Sequence, residues 1–259
     1  MESLFTYIAL FGIATARPIA AMLILPVFTR LGLTGILRAG IALALSLPLV
    51  AHLGSDLPAL RSMSAAMLLA MILKETVIGF LLGLLFGIPF WAVQSAGDII
   101  DTQRGSSIAY MTDPTALAEV SIIGTLLELM MVALFLAGGG GDLITGALYQ
   151  SEQLWPIMAP FPKVAGTSGD LLLGILDNVM RGAILFSGPI VIILFIVEVV
   201  MGLISRISSQ LQMADLSLPI KNTAVAIALP IYIIFFIEQA RERLGDLRHV
   251  LPDLGQFLQ

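Results

Sequence analysis

Apolar residues run in long, nearly unbroken stretches along this 259-residue chain instead of alternating with polar ones. Six such stretches cover roughly residues 4–28, 39–53, 65–93, 120–137, 183–204 and 220–237. Each predicts a hydrophobic helix, because a helix satisfies its backbone polar groups internally where no water can do so. A helix needs about 20 apolar residues to cross a hydrocarbon core about 30 Å thick. The first, third and fifth stretches meet that length, whereas the second, fourth and sixth reach only roughly 15 to 18 residues. Short apolar segments tilt, re-enter or lie against protein. Two arrangements therefore stand at this point: six spanning helices, or fewer spans with the short segments covered by protein. The expected fold is an all-α membrane protein forming a single domain over residues 1–259, with about six hydrophobic helices plus amphipathic ones.

Two connections are long. Residues 94–119 hold Asp98, Asp101, Arg104, Asp113 and Glu119 with small residues between them. Residues 138–182 open on the run Gly138-Gly139-Gly140-Gly141 and continue through an amphipathic segment over Leu143–Trp155. A proline-rich stretch follows at Pro156, Pro160 and Pro162, then a further helix over Asp170–Gly182, where Asp177 and Arg181 lie one turn apart.

Composition narrows the class. Hydrophobic residues make up 58% of the chain and charged ones 12%, with a mean hydropathy of +0.99. Soluble domains hold about 25% charged residues, so a water-soluble enzyme is excluded. The absence of cysteine removes disulfides, thiolate zinc sites and iron–sulfur clusters, and the two histidines, His52 and His249, make no metal centre. A net charge of -5 has the wrong sign for a nucleic-acid binder. The first sixteen residues carry only Glu2 as a charge and read as mature chain, not as a signal peptide. Five Lys/Arg on one set of loops (Arg30, Arg38, Arg104, Arg206, Lys221) face six on the other (Arg61, Lys163, Arg181, Arg241, Arg243, Arg248), so loop charge decides no orientation.

Ionisable residues inside the apolar stretches are the first chemical signal: Arg17, Lys74, Glu75, Glu128 and Glu198. Each costs about 2.5–3.5 kcal/mol at a bilayer centre, so such residues face a protein interior or an aqueous path. Arg17 stands roughly 20 Å along its helix from Leu4, too deep to snorkel. Pro18 beside it removes one helix hydrogen bond and predicts a kink. The charges form either a proton or ion relay, or acid–base pairs that bind helices and subunits together. One glutamate per helix favours the second. Gly79, Gly83 and Gly87 recur every four residues, as do Gly12, Ala16 and Ala20, the spacing that lets helix backbones approach closely. No nucleotide-binding loop, HExxH or nucleophile elbow is present, so enzymatic chemistry has no residues to carry it.

The most distinctive stretch is GDIIDTQRGSSIAYMTDP, residues 97–114. Asp98 and Asp101 lie three apart, as do Asp101 and Arg104, so a helical start brings them to one face. Gly105, Ser106 and Ser107 then loosen the backbone, and Asp113-Pro114 favours a turn.

This stretch resembles the SctT/FliR family of type III secretion export-apparatus proteins. The resemblance runs along almost the whole chain. Arg17-Pro18, Pro26, Arg38 and Pro48 match its N-terminal pattern, and Ser151 with Trp155-Pro156 its central connection. Gly202, Arg206, Gln210 and the run Ser217-Leu218-Pro219-Ile220-Lys221-Asn222 match its C-terminal signature. The run Gln103–Ser107 and Lys221 after Pro219-Ile220 are more like the injectisome branch (SctT) than the flagellar branch (FliR). Ser208-Ser209 and Ala214 depart from the pattern of many relatives.

The resemblance implies kinked helical hairpins packed with SctR-like and SctS-like subunits into a hetero-oligomeric export gate of the bacterial inner membrane, within the secretion-system basal body. SctU-like and SctV-like proteins and the inner rod or needle are implied neighbours, and unfolded secreted proteins the cargo. No enzyme activity, cofactor or metal is implied. The residues matching Gly105–Glu119 correspond to a pore plug. Ile108, Tyr110 and Met111 are accordingly expected to occlude the pore, with Gly105 as hinge and Asp98, Asp101, Gln103 and Arg104 at the loop's base. Ser106, Ser107, Asp113 and Pro114 complete that loop. The alternative from another class is a small secondary transporter using Arg17, Lys74 and Glu128.

Overall fold

The computed structural model describes residues 2–53, 57–105, 121–159, 168–207 and 213–248. Among them are nine helices and no strand. These are α1 (Glu2–Ile24), α2 (Pro26–Arg30), α3 (Gly35–Leu53), α4 (Leu57–Ser62), α5 (Ala65–Arg104), α6 (Ile122–Ala137), α7 (Gly140–Leu154), α8 (Ser168–Ile207) and α9 (Met213–Asp246). The all-α expectation holds. Four helices are long and apolar enough to cross a membrane: Thr6–Ile24, Ala65–Arg104, Leu173–Ile207 and Leu216–Asp246. The short segments answer differently. Gly35–Ala51 stays a shorter apolar helix, and α6 meets the spanning criterion only when joined with α7.

Helix ends depart from the hydropathy boundaries where polar residues continue a helix. α5 runs eleven residues beyond Val93, through Asp98 and Asp101, because Gln94–Arg104 contains a single glycine and no proline. The separate segments expected at 170–182 and 183–204 are one helix, α8. At the first stretch the reverse applies. Leu25 adopts an extended conformation ahead of Pro26, which starts the separate α2. Prolines 18, 48, 89, 189, 219 and 230 sit inside helices. In two of those turns a tyrosine hydroxyl supplies a donor to a backbone carbonyl. Tyr149 donates to the Leu45 oxygen (2.9 Å), three residues before Pro48, and Tyr232 to the Phe186 oxygen (2.7 Å), three before Pro189.

The described residues fall into two compact units. The first comprises those of Met1–Ile88, Leu136–Ile175 and Asp246–Gln259. In it α3 folds back on α1, and Leu10, Ile13 and Ala14 are buried with Leu60, Leu68, Met71 and Ile157. α1 and α5 run parallel, with Gly12 beside Ile72, and Gly79 and Gly83 against the backbone of Arg17 and Ala21. A Cβ at Gly79 would overlap the Arg17 carbonyl oxygen, and one at Gly83 would stand 2.8 Å from the Ala21 oxygen. The four-residue glycine spacing thus carries a close helix contact, and Gly87 is buried on the same helix.

The second unit comprises Pro89–Phe135 and Leu176–Gly245. Here α5 meets α6 antiparallel, with Gly97 and Gly124 back to back and Phe90 edge-on to Phe135 at 5.4 Å. α8 and α9 meet antiparallel through Phe186 and Phe236 (5.6 Å). Only 28% of the most apolar window of α8 and 17% of that of α9 is buried, so both helices leave broad apolar faces uncovered.

A Cβ at Gly97 would overlap Gly124, whereas one at Gly188 meets nothing within 4 Å. Gly97→Ala is therefore expected to lower stability by about 1–3 kcal/mol. Gly188→Ala is expected to be neutral or to gain up to about 1 kcal/mol of helix propensity. Thermal unfolding of the two variants in the same detergent checks both signs.

Candidate functional site

In the first unit the buried charges form one cluster built on the end of α7. Pro156 disfavours helical backbone at Trp155, so α7 stops there and its last carbonyls lose their helical partners. The negative end of a helix suits cations, and two arrive. Arg17 from α1 is 1% exposed, and its guanidinium makes three hydrogen bonds and pairs with two carboxylates. Nε and Nη2 both reach Glu75 Oε2 at 2.7 Å. Nη1 donates to Ser151 Oγ (2.7 Å) and pairs with Glu152 Oε1 (3.2 Å), and Nη2 also donates to the Trp155 carbonyl (2.8 Å). Lys74 from α5 donates to the carbonyls of Pro156 (2.9 Å), Ile157 (2.7 Å) and Ala159 (3.0 Å) and pairs with Glu75 Oε1 at 3.1 Å. Ser151 hands its own proton to the Leu148 oxygen (2.6 Å).

Two cations face two carboxylates. Each cation is saturated by the protein, which leaves neither Arg17 nor Lys74 a donor to offer a substrate or a relay. The arrangement ties α1, α5, α7 and residues 155–159 together. Of the other embedded charges, Glu128 is buried in α6 (1% exposed), beside Leu127. Glu198 departs from the expected burial. It is 60% exposed on α8, where it pairs with Lys221 of α9.

In the second unit polar residues gather where the 106–120 connection leaves and rejoins the helices. α6 begins at Ile122, and its first N–H groups need acceptors. Ser121 Oγ accepts from Gly124 N (2.8 Å), and Asp101 of α5 accepts from Ile123 N (3.1 Å) and from the Ser121 hydroxyl (2.7 Å). Arg104 Nε pairs with the other Asp101 oxygen at 2.7 Å. Gly105 ends α5 with φ 86, the left-handed conformation natural to a glycine C-cap. Thus Asp101 and Arg104 do join at the loop's base, with Ser121 as their partner across it. Asp98 is exposed one turn earlier, its Oδ1 against Gly124, and Gln103 contributes its backbone oxygen, which accepts from Lys221. Arg206 is exposed at the end of α8, and Pro219 and Lys221 lie within α9. Ser106, Ser107, Ile108, Tyr110, Met111, Asp113, Pro114 and Gln210 lie outside the described residues.

Sequence reasoning missed Glu152, Ser121 and the carbonyls of residues 155–159. A serine directly before an apolar helix is a capping signal and marked Ser121. Nothing in the sequence points Glu152 at Arg17.

The family described as bacterial export proteins, family 1, matches residues 8–247. The chain belongs to it. Within this export-protein family the chain is 33% identical over 217 residues to Yop proteins translocation protein T of Yersinia pestis, covering 83% of this chain and 82% of that one. It is 28% identical over 232 residues to secretion system apparatus protein SsaT of Salmonella typhimurium, covering 84% of each. To flagellar biosynthetic protein FliR of Bacillus subtilis it is 29% identical over 222 residues, covering 85% of each. The SctT/FliR resemblance of residues 97–114 and the C-terminal signature is borne out, as is the lean toward the injectisome branch. The chain is a membrane protein of the export family.

Removing one partner of a buried ion cluster leaves the other charges uncompensated. Glu75→Leu is expected to cost about 3–5 kcal/mol. Arg17→Lys cannot serve four acceptors with three donors and is expected to fail similarly. Glu152→Gln keeps an acceptor at a site 14% exposed and is expected to cost less than either. Unfolding in detergent, followed by circular dichroism, ranks the three.

Proposed function

We propose that the chain is a non-enzymatic subunit of a type III secretion export gate of the injectisome kind. It lines and closes the channel through which unfolded proteins cross the bacterial inner membrane. The observation that carries this reading is the joined base of the 106–120 connection. Asp101 binds Ser121 and Ile123 across it, and Arg104 braces Asp101. Holding the two ends together lowers the conformational entropy of the segment between them. That segment carries Ile108, Tyr110 and Met111, which match the family's plug, and Gly105 supplies the pivot at the exit from α5. A flexible methionine in such a plug re-closes around cargo of varied shape.

Partners follow from the uncovered apolar faces of α8 and α9. SctR-like and SctS-like subunits would cover them, with SctU-like and SctV-like proteins and the inner rod or needle as neighbours in the basal body. Of the groups the transporter reading uses, Arg17, Lys74 and Glu128, both cations are already held by protein partners, which weighs against a substrate on either.

Purified in mild detergent from its native host, the chain is expected to bring two different small membrane proteins with it. A monomer or homo-oligomer would reject the reading. Deleting residues 108–111 is expected to raise small-solute leakage through the assembled complex severalfold, measured as conductance in planar bilayers.

A further inference from the structure

We propose that Glu198 and Lys221 are positioning residues of the gate, forming a latch that seats the α8–α9 hairpin on the C-terminal end of α5. The inference rests on the export-gate reading. The Lys221 ammonium, on α9, touches two other helices. It donates to Glu198 Oε2 of α8 at 3.2 Å and to the Gln103 carbonyl of α5 at 3.3 Å. That carbonyl is in the last turn of α5, where helix geometry leaves oxygens without a partner and favours a cation. Beside it Arg104 Nη1 donates to Asn222 Oδ1 at 3.5 Å. Two adjacent residues of α9 therefore grip two adjacent residues of α5, and Glu198 brings in α8.

The contacts of this region fall into two grades. Those joining Asp101 to Arg104, Ser121 and Ile123 measure 2.7–3.1 Å around a carboxylate that is 4% exposed. Those of the latch measure 3.2–3.5 Å, and Glu198 is 60% exposed. Hydrogen bonds and ion pairs at these longer distances are weaker than those of the base, so the latch yields first while the base stays joined. The setting of Glu198 argues for a role. Phe195 (65%), Val199 (46%) and Leu203 (56%) are exposed around it, an apolar face on which an ionised carboxylate is costly unless a cation such as Lys221 pairs with it. Arg104 belongs to both sets of contacts, so the seat of the α8–α9 hairpin is transmitted directly to the loop's base.

The test uses the chain assembled with its partner membrane subunits and reads resting conductance in planar bilayers. Glu198→Lys and Lys221→Glu are each expected to raise it severalfold with co-purification intact. The double exchange is expected to restore most of the native value, though not all, because a glutamate at 221 faces the Gln103 carbonyl. Glu198→Asp is expected to remain close to native. Glu198→Gln serves as the neutral variant if a charge reversal blocks assembly, and is likewise expected to raise resting conductance. Single variants at native conductance, or a double exchange without rescue, overturn the latch. The deletion of residues 108–111 separates the two levels. If it raises conductance and the charge variants do not, the latch alone fails; if it too has no effect, the gate reading fails.

Discussion

The burial of the Arg17 guanidinium is the constraint on which the first unit depends. A desolvated guanidinium is tolerated only when its donors are met, since the cost of removing it from water exceeds what one carboxylate returns. Meeting them requires Glu75 from α5, Ser151 and Glu152 from α7 and the Trp155 carbonyl to be in place at once. Apolar helices in an apolar surrounding gain little from burying surface against one another, and many rotations of one helix on another are nearly equal in energy. The rigid fork of Arg17 is not so permissive. It selects one rotation and one depth for three helices, and Gly79 and Gly83 allow that depth by bringing α5 against the backbone of α1.

The same physics operates in the second unit with the sign reversed. There a buried carboxylate, Asp101, stands at the positive end of α6 and takes over a hydrogen bond that the first turn of that helix cannot make for itself. Gly97 and Gly124 supply the close approach that brings Asp101 into range. The result is a joined loop base whose inner contacts are short and buried. Its outer contacts, to Lys221 and Asn222, are long and exposed. Such a gradient suits a component that has to hold a resting state firmly and leave it under load, because the outer contacts yield first without disturbing the inner ones.

Much of this was legible in the sequence. Long apolar stretches announce helices, an arginine followed by proline deep in one of them announces a protected charge, and glycines four apart announce a tight helix contact. The base of the 106–120 connection was legible from the spacing of Asp101 and Arg104, since residues three apart share a helix face. Glu198 shows where such reasoning stops. Its position in an apolar stretch suggested burial, yet its side chain is 60% exposed and meets α9 through Lys221. Hydropathy registers that a residue lies on an apolar helix; it carries no information about which side of that helix is covered.

What the sequence by itself determined is local: helix content, family, the deep charges and the residues at the loop's ends. Each follows from propensity, spacing or solvation cost, quantities belonging to a residue and its near neighbours along the chain. Tertiary structure alone decided the partnerships. Glu152 meets Arg17, the carbonyls after α7 receive Lys74, Gly97 faces Gly124 and Lys221 reaches Gln103. Those pairs are widely separated in sequence. They exist because desolvated charges and close-packed backbones admit few arrangements of the helices, and no single segment contains that restriction.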